Sequence, residues 1–214
     1  KTFFSRLKHA NDVTFLTGPE LTKSLNYPEL KNFNFRDSSK IKKEDFLENA
    51  MARAELSNWL KNDFTSLRPT LGHYSFLDMQ KKLSNLHLMT LCSSALHQAA
   101  GIERVMELNG SYKETREEAG EKIPAVRFKD EDINSETLSD ATEVAAVCEV
   151  FILCGVTEMD DKVSSLPFLA KGNGCYMAEI SEEETEMTRH CNESLKGDVS
   201  DWLTKISMIM NKVF

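Results

Sequence analysis

The chain has 214 residues, 41% of them apolar and 28% charged, with a net charge of −8. That is enough chain for one large domain or two smaller lobes, and the composition excludes a globally disordered or fibrous protein. Nine glycines, five prolines and 8% aromatic residues are too few turn and β-forming residues for an all-β sandwich. The charge is uneven: residues 1–82 carry 14 Lys/Arg against 10 Asp/Glu, and residues 83–214 carry 12 against 24. The chain starts at Lys1 without an initiator Met, which reads as a fragment or a processed product.

In chain order, residues 2–31 read as short helices broken at Pro19 and Pro28, and residues 32–39 as a polar connector. A helix is expected over 42–62, where Phe46, Leu47, Ala50, Ala54, Leu56, Trp59 and Leu60 recur at three- and four-residue spacing. The longest helical pattern runs over 76–108, apolar on most sides, and ends at Asn109-Gly110. The uncharged stretch 83–102 has transmembrane length, but eight polar residues make it a buried helix, so no transmembrane segment is expected. Residues 111–137 are polar and read as a linker or loop, with a short strand at Val126–Phe128.

Asp140 and Glu143 have capping-box spacing and open the apolar run 144–156. A buried strand is the rival there; the cap and the closing Gly155 favour helix. A loop follows around Pro167, Gly172 and Gly174. Ser181 and Glu184 repeat the capping box for a solvated helix closed by Gly197, and a strongly amphipathic helix finishes the chain. The expected fold is therefore all-α, a multi-helix bundle or two helical lobes. The division is a net-basic N-terminal lobe over 1–110, the linker 111–137, and an acidic C-terminal lobe over 138–214.

Catalytic and ligand motifs are few. The acidic string from Asp130 to Glu136 fails as a calcium loop, because Ser135 replaces the turn glycine and Ala141 the bidentate glutamate. No histidine pair has metal-seating helical spacing, no phosphate-binding glycine loop occurs, and Cys92 and His97 diverge on a helix, so neither metal nor cofactor is expected. The five cysteines are odd in number and without C-x-x-C, which suggests reduced thiols and an intracellular, cytoplasmic setting.

Three surfaces remain. The face of Val199, Trp202, Leu203, Ile206, Ile209, Met210 and Val213 is a candidate for binding a partner. His87, Thr90, Ser94 and His97 form a polar stripe that could line a groove. Arg36, Lys40, Lys42, Lys43, Arg53, Arg68, Lys81 and Lys82 are the candidate nucleic-acid contacts. The function expected is a non-enzymatic helical protein–protein interaction or assembly module, with a protein partner or self-association. The alternatives are an RNA-binding or RNA-encapsidating helical protein, and an enzyme whose site is assembled from scattered residues, His87 and His97 first among them.

Overall fold

The structure is a computed structural model that describes residues 2–30, 33–118 and 120–213. Lys31 and Asn32, where the expected helices meet the expected connector, lie outside the described residues.

The expected all-α bundle is overturned: the centre of the molecule is a parallel β-sheet. Helix α1 (Phe3–His9) leads into strand β1 (Asp12–Thr17). A 3-10 turn at Pro19–Thr22 and the small antiparallel pair β2 (Glu29–Leu30) and β3 (Phe33–Asn34) follow. Helices α2 (Lys43–Glu48) and α3 (Ala50–Asn62) replace the single helix expected over 42–62. They divide at Asn49, whose side chain accepts a hydrogen bond from the Ala52 N–H and so caps the second helix.

Helix α4 (Leu71–Gln80) precedes strand β4 (Asn85–Thr90), the short helix α5 (Leu96–Ala99) and strand β5 (Met106–Glu107). Residues 76–108 are thus mostly not the expected long helix. Strands β6 (Gly110–Glu118) and β7 (Glu121–Val126) form an antiparallel hairpin inside the stretch read as a linker. Helix α6 (Ser135–Val147), capped by the Asn134 side chain, runs into strand β8 (Val150–Cys154). Helix α7 (Asp161–Gly172) contains Pro167 and buries Val163, Leu166 and Ala170 where a loop was expected. Strand β9 (Tyr176–Ser181), strand β10 (Glu193–Lys196) and helix α8 (Val199–Val213) complete the chain, so the solvated helix expected from Ser181 is replaced by a strand and a turn.

The six-stranded sheet has the order β10-β9-β8-β1-β4-β5, and every neighbouring pair is parallel. A strand covered on both faces reads as a continuous apolar run, which period alone cannot tell from a buried helix. All five residues of β8 are buried: Val150, Ile152 and Cys154 face one layer, and Phe151 and Leu153 the other. The first layer is built on α1, α4 and α8, through Phe3, Leu7, Phe76, Met79, Leu203 and Ile206. The second is built on α6 and α7, through Ala141, Ala145, Val163, Leu166 and Ala170. A third core, around Phe35, Phe46, Leu56, Trp59, Tyr112 and Phe128, joins α2 and α3 to the hairpin as a cap. Among the described residues no helix is long and apolar enough to cross a membrane.

Candidate functional site

From the central strand β1 the sheet grows outward to β4 and β5 on one side, then through β8, β9 and β10 on the other. Connections leaving β1 and β8 therefore diverge, and a crevice opens at their carboxyl ends, the place where doubly wound sheets bind ligands. Two glycines set its floor. Gly18 N–H donates to the Cys154 carbonyl at 2.9 Å, and Glu20 N–H to the Gly155 carbonyl at 3.2 Å. A Cβ on Gly18 would overlap the Gly155 carbonyl and lie 2.7 Å from Val156 Cα. Gly155 has φ +66°, where glycine is favoured, and a Cβ there would stand 2.6 Å from Glu20 Cβ. The two turns thus touch directly. Pro19 offers no N–H, and the Glu20 carboxylate accepts from Ser181 Oγ at 3.2 Å and from the Glu182 N–H at 3.3 Å. Desolvation raises the Glu20 pKa.

At the end of β4, Thr17 Oγ1 meets both Thr90 Oγ1 and His97 Nε2 at 2.9 Å. Burial, with His73 beside it at 4.7 Å between ring centroids, holds His97 well below the ordinary histidine pKa. Among the described residues its Nδ1 finds no hydrogen-bond partner. Cys92 is buried and its thiol is pushed up to about 11 by desolvation, so at neutral pH it is no nucleophile. Ala95, at the N-cap of α5, has φ +53°, a left-handed backbone that costs an alanine roughly 1 kcal/mol. Such strain in a site loop is held by its surroundings.

Asn109, just past β5, links the walls. Its Nδ2 donates to the Leu91 carbonyl at 3.0 Å, its own carbonyl accepts from Ser93 Oγ at 3.1 Å, and its Oδ1 accepts from Arg127 Nη1 at 3.2 Å. Arg127 also pairs with Asp160, and Lys40 pairs with Glu158 at 2.6 Å and Asp37 at 3.8 Å. Both pairs tie the cap to the segment after β8. They leave a cavity of about 20 Å³ between Pro19, Leu91, Asn109 and Asp160, while a pocket of about 630 Å³ lies on the hairpin side of Arg127.

The sequence candidates fall in different places. Thr90 and His97 meet at the crevice through Thr17. Ser94 is buried nearby against Tyr27. His87 stands toward the amino end of β4, 3.5 Å from Asp12, so the four do not form one stripe. On α8, Val199, Leu203, Ile206 and Met210 are buried in the chain's own core; Trp202 and Ile209 are half-buried, and the Val213 side chain lies outside the described residues.

The basic residues do not form a phosphate-facing surface. Arg36 donates to the Thr22 and Leu25 carbonyls, Arg53 pairs with Glu121, and Lys43 sits between Glu118 and Glu131 at 3.3 Å from each. Lys81 pairs with Asp78, Arg68 donates to the Thr65 and Leu67 carbonyls, and Lys42 and Lys82 are exposed. Sequence reading missed Gly18, Asn109, Arg127, Gly155 and Asp160. The signal available was a glycine closing each of two short β-branched runs, Val13–Thr17 and Val150–Cys154.

Comparison with known proteins agrees with this geometry and overturns the expected assembly and RNA-binding functions. The chain is 26% identical to an NAD-dependent protein deacylase of Aquifex aeolicus, over 94% of this chain and 95% of that protein. It is equally 26% identical to NAD-dependent protein deacylase 1 of Caldanaerobacter subterraneus, over 88% and 90%. Among solved structures, a Sir2 homologue in complex with ADP ribose superposes with a TM-score of 0.85 at 18% identity, covering 98% of this chain and 95% of that one. A Sir2 complex with a p53 peptide and NAD+ gives 0.82 at 16% identity, covering 98% of each. The Sir2 family profile matches residues 27–157, which include the cap, the β4 loop, Asn109, Arg127 and Gly155, and the chain belongs to the Sir2 family.

Proposed function

We propose that the chain binds NAD at the carboxyl end of the sheet and is an NAD-dependent protein deacylase, as its relatives are named. The observation that carries this is where the unsatisfied polar groups gather. Among the described residues, seven buried side-chain nitrogen or oxygen atoms make no hydrogen bond, and six belong to Ser38, His97, Gln98, Glu107, Arg116 and Arg127. Glu107, Arg116 and Arg127 line the pocket of about 630 Å³ on the hairpin side, and His97 stands at the crevice against Thr17. An unpaired buried polar atom costs roughly 1–3 kcal/mol, a cost that a polar ligand bound beside it would relieve.

The Arg127 Nε and His97 Nδ1 nitrogens suit phosphate and hydroxyl groups of NAD, and the Gln98 and Glu107 oxygens can accept only from its hydroxyl or carboxamide donors. When bound, NAD supplies a ribosyl carbon made electrophilic by its bond to nicotinamide. The chain's own residues have separate parts. Arg127, once released from Asp160, offers countercharge to phosphate. Asn109 presents an amide already oriented by the Leu91 carbonyl and Arg127. His97, neutral, holds the Thr17 hydroxyl in place. The ion pairs Arg127–Asp160 and Lys40–Glu158 part to admit the ligand, since the closed cavity is far below the few hundred Å³ a cofactor occupies.

A second reading, nucleotide binding without turnover, is favoured by the turn after β1. Pro19 withholds an N–H there, Glu20 brings a carboxylate that repels phosphate, and His97 is engaged and neutral. Calorimetric titration with NAD and ADP ribose, beside nicotinamide release in the presence of an acetyl-lysine peptide, separates the readings. Release coupled to deacetylation supports the first, and binding without release the second. No binding of either nucleotide refutes both. We also place the chain inside the cell, since its described cysteines are free and four of the five are buried.

A further inference from the structure

At the opposite, amino end of the sheet two thiols meet. Helix α6 ends at Cys148, and the turn after α7 ends at Cys175, immediately before β9. Strands β8 and β9 pair in parallel with Val150 opposite Tyr176. Just before the strand starts, the chain entering β8 and the chain entering β9 therefore run side by side. The two sulfurs are 3.4 Å apart, the one thiol–thiol contact among the described residues.

The pair is not sealed away. Cys148 is 6% and Cys175 8% exposed, and both line a pocket of about 330 Å³ together with Arg6, His9 and Asn173. Cys92 and Cys154, by contrast, are buried singly, Cys92 against the Thr22 hydroxyl and Cys154 within the sheet. The contacting thiols also differ from each other. A hydrogen bond from Cys175 holds the Cys148 thiol below its ordinary range, whereas Cys175 is raised. The thiolate is the nucleophile in disulfide exchange, so attack starts at Cys148.

We propose that Cys148 and Cys175 are a reversible dithiol–disulfide pair, oxidised by a low-molecular-weight disulfide that enters through the Arg6–His9 pocket. The Cys148 thiolate attacks one sulfur of the oxidant, the oxidant's S–S bond breaks, and one thiolate leaves. Cys175 then gives its proton to solvent and attacks the Cys148 sulfur of the mixed disulfide, and the second thiolate leaves. The protein loses two protons and two electrons, and the oxidant is reduced to two thiols. The new bond closes a loop containing β8 and α7 and ending just before β9, which constrains the unfolded chain and stabilises the folded one.

The test exposes the full chain to graded ratios of oxidised and reduced glutathione, alkylates the remaining thiols and maps the peptides by mass. The expected result is a mass loss of two hydrogens, a peptide link between Cys148 and Cys175, alkylated Cys92, Cys154 and Cys191, and a higher melting temperature. Cys175→Ser, checked for folding by circular dichroism, is expected to trap a glutathione adduct on Cys148. An unlinked glutathione adduct persisting in the unaltered chain, a link involving another cysteine, or unreacted thiols across the whole range would each overturn the proposal. None of these outcomes depends on NAD, so the pair stands or falls apart from the crevice.

Discussion

Replacing Gly18 with Ala tests whether the turns after β1 and β8 are pressed together. Its φ of −121° suits any residue, so backbone strain contributes nothing. Ala would even gain roughly 0.5–1 kcal/mol through the less mobile unfolded chain. Against this, the added Cβ meets only backbone, the Gly155 carbonyl and Val156 Cα at 2.7 Å, which no rotamer change can relieve. Overpacking of that kind costs about 1–3 kcal/mol, and backbone neighbours put it at the upper end. The net loss is about 2 kcal/mol, or a melting temperature lower by roughly 4–8 °C for a chain of this size. Gly120→Ala is the control: its φ is +80° with no heavy atom within 4 Å, so it pays backbone strain alone, about 1 kcal/mol. Thermal melts of both variants, followed by circular dichroism, decide the matter. A Gly18→Ala protein as stable as the unaltered chain would show that the turns stand apart and that the crevice floor is wrongly drawn.

Further outcomes follow from the same contacts. Asn109→Ala removes the amide joining the Leu91 carbonyl to Arg127; it is expected to cost roughly 2 kcal/mol in chemical denaturation and to weaken NAD binding in calorimetry. Leu203→Ala, fully buried on α8, is expected to cost about 2–5 kcal/mol while light scattering finds the molecular size unchanged; a change of size with stability kept would mean that α8 serves an interface. Stability also depends on acid through His73, which burial lowers to about 4 from an unfolded value near 6.5. Between those values the unfolded chain binds more protons, so this contribution is whole above pH 6.5 and is lost as pH falls toward 4, by roughly 3 kcal/mol. Urea midpoints measured from pH 7.5 to 4.5 check it, and a smaller fall of the midpoint in His73→Gln over that range is the matching control, the remainder including His97, which burial also lowers.

Part of the local punctuation was legible in the sequence. The amphipathic period of α8 was readable because one of its faces meets the core and the other meets water, and the structure buries Val199, Leu203, Ile206 and Met210 accordingly. The capping box read at Asp140 and Glu143 lies inside α6, whose cap is Asn134, and the run 144–156 expected as helix is mostly strand β8. Strands β1, β4 and β8 were not legible, because residues covered by helices on both sides lose the two-residue alternation that marks a strand. Only long-range parallel pairing, Val13 with both Leu86 and Val150, distinguishes these runs from buried helix.

The candidate site was hidden for a related reason. Thr17, His97, Asn109, Arg127 and Asp160 carry no motif in their own neighbourhoods and are spread over more than half the chain. Composition and period determined that the chain folds with a large core and a mostly solvated charge. Tertiary structure alone decided which ends of which strands face one another, because a crevice at a switch point is made by strand order, and strand order is a non-local property.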